Sequence, residues 1–155
     1  MVVAVLIVGA GGIGSSAILY LAGAGIGSLT LVDFDVVEES NLHRQVIHDT
    51  AAAHNATHKA TSAAARVKAL NPYILCDVIQ DKLTRSNAVE IMTQKPYDLV
   101  VDATDNFEAR YLINDSCNHV GLPLVSGSAG KKWCGSRAVI LYIICLPCLY
   151  VCLHA

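Results

Sequence analysis

The sequence predicts an α/β fold, doubly wound, with a mostly parallel sheet and helices on both faces. Three observations carry that prediction. Short, continuous β-branched runs such as VVAVLIV at 2–8 and LTLV at 29–32 have the composition of strands buried on both faces. These runs alternate with helical stretches and show no internal repeat. The first run leads into Gly9-x-Gly11-x-x-Gly14, which opens a helix. Together they describe a Rossmann-like domain.

The elements follow in order. Residues 3–8 form the first strand, and the glycines turn the chain into a helix over 15–24 that stops at Gly25. Residues 29–33 form a second strand ending on Asp33. A long polar stretch over 34–57 follows, then an Ala-rich helix over 59–70 halted by Asn71-Pro72. Residues 74–79 are a third strand, 87–94 a short helix, and 97–101 a fourth strand running into Asp102. A helix over 107–120 ends at Gly121-Leu-Pro123, and Leu124-Val125 opens a fifth strand.

Composition narrows the function. The chain has 155 residues, enough for one domain with its own core. Eleven Lys+Arg against thirteen Asp+Glu exclude the broad positive footprint of a nucleic-acid binder. Only 15% of residues are charged, so a buried subunit face or an incomplete domain is expected. The mean hydropathy of +0.47 raises a membrane reading. The uncharged run at 138–153 is short for a spanning helix and contains Pro147, so one or two buried strands are expected there. The first strand has no cleavage-site pattern, and the six cysteines show no disulfide framework. A cytoplasmic protein with reduced thiols is therefore expected.

The chemistry concentrates at the strand ends. Gly9, Gly11, Gly12 and Gly14 let a backbone approach a phosphate at a helix N-terminus. Asp33, nineteen residues after Gly14, is placed to accept from ribose hydroxyls. Those features alone suit a nucleotide with an unphosphorylated ribose, most often NAD. Asn41, Arg44 and Lys59 then add polar and cationic groups beyond the second strand, and Asp105 adds an acid beyond the fourth. Two cations and an acid suit a triphosphate cleaved with Mg²⁺ better than hydride transfer. Asp105 could instead cap the next helix, and Asp35 is expected to shape its loop. His43, His48, His54, His58 and His119 are expected at the surface, and Cys76 and Cys117 in the core.

VLIVGAGGIGSSAILYLAGAGIGSLTLVDFDVVEESNLHRQ, then HKATSAAARVKALNP, then YDLVVDATDNFEARYLINDSC and LPLVSGSA resemble the ThiF/MoeB/HesA family of ubiquitin-activating-type enzymes. The resemblance runs from Val5 to Ala129. It implies ATP-dependent adenylation of the C-terminal Gly-Gly carboxylate of a ubiquitin-like sulfur-carrier protein, of the molybdopterin, thiamine or tRNA-thiolation type. By motif it implies that Gly9, Gly11, Gly12 and Gly14 line the nucleotide and that Asp33 holds the ribose. Asn41, Arg44 and Lys59 would contact the phosphates, and Asp105 would bind Mg²⁺. A homodimer is implied as well.

By the same comparison, residues 1–129 are expected to be the adenylation domain and 130–155 a divergent, truncated remnant. The family's leading helical segment, with a phosphate-reaching arginine, is expected to be missing ahead of the first strand. Cys134 and Ser136 stand where the family has Glu and Gln. Cys145 and Cys148 have the spacing of half a zinc site. An NAD-dependent oxidoreductase domain and an inactive nucleotide-binding fragment are the alternative readings.

Overall fold

A computed structural model describes residues 3–130, 139–146 and 149–150. Strand β1 (Ala4–Val8) leads into helix α1 (Gly12–Gly23), then β2 (Ser28–Val32). A 3₁₀ turn (Glu39–Asn41) and a short helix α2 (Thr50–His54) follow, then α3 (Lys59–Leu70) and β3 (Leu75–Ile79). The chain continues through α4 (Ala88–Thr93), β4 (Leu99–Asp102), α5 (Phe107–Val120) and β5 (Leu124–Gly130). Strands β6 (Val139–Leu146) and β7 (Leu149–Tyr150) complete the described residues.

The sheet order is β3-β2-β1-β4-β5-β6-β7. The first five strands are parallel, and β6 and β7 join antiparallel. The expected mostly parallel, doubly wound architecture is therefore the observed one. Alternation along β1 builds two cores. Leu6 and Val8 face Ile91 and Met92 of α4 and Ile113 and Cys117 of α5. Val5 and Ile7 face Ile18 and Ala22 of α1 and Ala60, Ala63 and Val67 of α3. The strand order reverses beside β1, whose neighbours are β2 and β4. That opens a crevice at their C-terminal ends.

Local chemistry accounts for the shifted boundaries. Helix α1 begins at Gly12, three residues before the sequence suggests, so Gly12 and Gly14 lie inside its first turn and Gly11 is its N-cap. Helix α2 forms within the long polar stretch because Asp49 caps it, accepting from Ala52 N at 2.8 Å. Gly121 ends α5 in the left-handed conformation, as its sequence context suggests. The apolar run at 138–153 supplies strands β6 and β7. Among the described residues no helix is long and apolar enough to cross a membrane. The zinc reading of Cys145 and Cys148 lies outside the described residues, because Cys148 is not among them. The departures at Cys134 and Ser136 lie outside them too.

Three side-chain expectations change. Cys117 is buried against Met92, but Cys76, on edge strand β3, is only half-buried. Burial together with neighbouring Asp77 raises its thiol pKa to about 11. His48 is buried rather than exposed, and His58 is half-buried. His48 sits between Ala10 of the glycine turn and Ser62 of α3, and His58 is the N-cap of α3, contacts that a reading of spacing alone does not reveal.

Candidate nucleotide site

A cavity of about 1120 Å³ occupies the crevice. Gly9, Gly11, Gly12, Asp33, Arg44, Lys59 and Asp105 all line it, although they come from five separate segments. Gly9 has φ +99°, and a Cβ there would meet Ala103 O at 2.8 Å. Gly14 does not line the cavity. A Cβ on it would lie 2.0 Å from Gly9 O, so its place is the tight contact between α1 and the loop.

The carboxylate of Asp33 organises the first two turns of the site. Its Oδ2 accepts from Ala10 N at 2.7 Å, and its Oδ1 accepts from Asp35 N at 2.9 Å. Each oxygen keeps a further lone pair for a ligand hydroxyl. Asp35 shapes its loop, as the sequence suggests, and also pairs with Lys59. Lys59 Nζ donates to Asp35 Oδ2 at 2.9 Å from a side chain only 9% exposed. An ammonium has three N–H donors, so two remain for the cavity.

Arg44 lies across the glycine turn. A Cβ on Gly12 would be 3.8 Å from Arg44 Cγ. Its Nη2 donates to Asn41 Oδ1 at 2.6 Å, and Asn41 Nδ2 in turn donates to Glu38 Oε2 at 3.0 Å. Asn41, expected from the resemblance to contact phosphates, is not itself in the cavity wall. It holds the guanidinium that is.

On the opposite wall the cap and the acid separate. Asn106 is the N-cap of α5 and accepts from Ala109 N at 2.7 Å. Asp105 is exposed and faces the cavity without that duty. Beneath it, Asp102 is 1% exposed and accepts from Thr104 N, Thr104 Oγ1 and Ser126 Oγ at 2.9, 2.6 and 2.6 Å. Arg110 approaches the same carboxylate at 4.0 Å and donates to Thr104 O at 2.9 Å. This buried cluster fixes the turn that presents Asp105.

Sequence reasoning misses the loop after β3. Lys82, Thr84 and Arg85 line the cavity, and Lys82 lies over the Phe34 ring at 5.7 Å. No motif marks this loop; only the parallel pairing of β3 with β2 brings it beside Asp33.

Cations on one side, an acid on the other and amide donors at a helix start make an arrangement suited to a nucleotide phosphate chain. Comparison with known proteins agrees. The model of the ThiF family matches residues 2–151. Adenylyltransferase and sulfurtransferase MOCS3 of Arabidopsis thaliana is 50% identical over 125 residues, covering 81% of this chain and 26% of that protein. The SAMP-activating enzyme E1 of Haloferax volcanii is 44% identical over 146 residues, covering 94% of this chain and 53% of that protein. Among solved structures, the E. coli tRNA N6-threonylcarbamoyladenosine dehydratase TcdA in complex with ATP superposes with a TM-score of 0.75. It is 32% identical, and the match covers 85% of this chain and 54% of that one. The chain spans about a quarter to a half of the length of these curated relatives.

Proposed function

This chain belongs to the ThiF family, and from that premise we propose that it is the nucleotide half of an adenylyltransferase. Its substrate is the C-terminal Gly-Gly carboxylate of a ubiquitin-like sulfur-carrier protein. The observation that carries the reading is the single cavity shared by the glycine turn, Asp33, Arg44, Lys59 and Asp105. The adenylation domain comprises residues 1–129, and the protein acts in the cytoplasm as a homodimer.

The chemistry asks little of an acid or base. A carboxylate is already a nucleophile: one of its oxygens forms a bond to the α-phosphorus, the bond from that phosphorus to the bridging oxygen breaks, and pyrophosphate leaves. The products are an acyl-adenylate and pyrophosphate. What the site must provide is alignment and neutralised charge. Arg44 and the two spare donors of Lys59 serve the phosphates, Asp33 orients the ribose, and the amides at the start of α1 face the phosphate chain.

The donor set also fits Mg²⁺. Among the described residues no group of three or more His, Cys, Asp and Glu side chains is arranged to hold a metal alone. Mg²⁺ at nucleotides needs only one or two carboxylates, with phosphates and water completing its shell. Asp105 would hold it, and bound Mg²⁺ would offset negative charge on the phosphates.

Carrier-dependent exchange of labelled pyrophosphate into ATP tests the proposal. Exchange is the expected result. Binding of NAD with no exchange would point to hydride transfer instead, and binding of ATP with no exchange to an inactive nucleotide binder.

A further inference from the structure

The turn from Gly9 to Gly12 contains three glycines, so its own side chains cannot fix its backbone. Groups from elsewhere hold both polar atoms of Ala10. Its N–H donates to Asp33 Oδ2 at 2.7 Å, and its carbonyl lies 2.9 Å from His48 Nε2. A carbonyl only accepts, so His48 must carry the proton on Nε2. Its Nδ1 is then free to accept from the Ser62 hydroxyl at 3.0 Å. Ser62 is one turn after Lys59 on α3, and both are buried. His48 itself is buried and does not line the cavity.

In a trans peptide the carbonyl and the following N–H point in opposite directions. Holding Ala10 O against His48 therefore turns Gly11 N–H away from the imidazole. Gly11 lines the cavity and tolerates either orientation of that peptide, so nothing in its own stereochemistry prevents a flip. A flipped peptide would aim a carbonyl, not an amide, toward incoming phosphate.

We propose that His48 is a positioning residue for nucleotide binding, locking the Ala10–Gly11 peptide so that the glycine turn presents a donor in register with the helix that carries Lys59. The proposal rests on the nucleotide reading of the cavity. The neutral imidazole suits the task. Burial disfavours its charged form, and Lys59 opposes a second positive charge, while Asp33, Asp49 and the Ala10 carbonyl act in the other direction.

Two measurements on the full chain test the lock. Amide hydrogen exchange without nucleotide reads the turn itself, and calorimetric titration with Mg-ATP reads the consequence. In His48→Ala, exchange at Ala10, the turn amide held by Asp33, should rise at least tenfold relative to β1, and ATP affinity should fall about tenfold. His48→Gln can place an amide donor near the Nε2 position and should restore both, whereas the shorter His48→Asn should not. The idea is overturned if the Ala variant exchanges like wild type, or if a folded Gln variant exchanges as fast as Ala. Should the Ala variant fail to fold, Gln against Asn decides by the same criterion: equal turn exchange in the two overturns the lock. Wild-type protein that ignores ATP while showing the expected exchange pattern would defeat the nucleotide reading and leave the peptide lock standing.

Discussion

Arg44 and Lys59 reach the same cavity from opposite starting points, one propped by Asn41 and the other paired with Asp35. Arg44→Ala and Lys59→Ala should each reduce pyrophosphate exchange by roughly a hundredfold, about 3 kcal/mol in the barrier. His54→Ala should not, because His54 is exposed and bonded to Glu39 outside the cavity wall. Equal exchange in all three variants would contradict the phosphate assignment. His48 provides a second residue-level test. Its pKa is lowered from 6.5 on folding, so the unfolded chain binds the proton more readily. Its contribution to stability is complete above pH 6.5 and declines as the pH falls below that value. Urea midpoints measured across this range should fall less steeply in His48→Gln than in wild type. The sequence made the cations visible because Arg44 lies in the polar stretch after the second strand and Lys59 heads the next helix. It did not make His48 visible, because burial there depends on its contacts with Ala10 and with Ser62 of α3, which are distant in sequence.

At the level of elements, the β4–α5 connection divides its duties between neighbours. Asn106→Ala should cost about 1 kcal/mol in chemical unfolding through loss of the α5 cap. Asp105→Ala should leave unfolding nearly unchanged and weaken Mg-ATP binding. The reverse pattern would return Asp105 to a purely structural role. The α1 start gives a second test. Gly14→Ala forces a Cβ to within 2.0 Å of Gly9 O and should destabilise the protein by about 2–3 kcal/mol. A melting temperature equal to wild type would show that the turn yields. Helix α5 and its Gly121 stop were legible because periodicity and punctuation agree there. Helix α2 was not, because five residues are too few to establish a helical period among polar neighbours.

Across the whole molecule, five parallel strands position the cavity, and the antiparallel β6 and β7 extend the sheet beyond it. This order was readable as a class from alternating apolar runs. The contribution of the loop after β3 was not, since it depends on which strand lies beside which. Once β3 pairs with β2, Lys82 and Arg85 join the cavity wall near Asp33. The same architecture serves dinucleotides and triphosphates, so the fold does not choose between them. The choice rests on cations on one wall and Asp105 on the other. Calorimetric titration of the folded chain with Mg-ATP and, separately, with NAD tests that choice most directly. The account predicts that Mg-ATP binds and that Arg44→Ala weakens it. Saturable binding of NAD with no heat from Mg-ATP would contradict it.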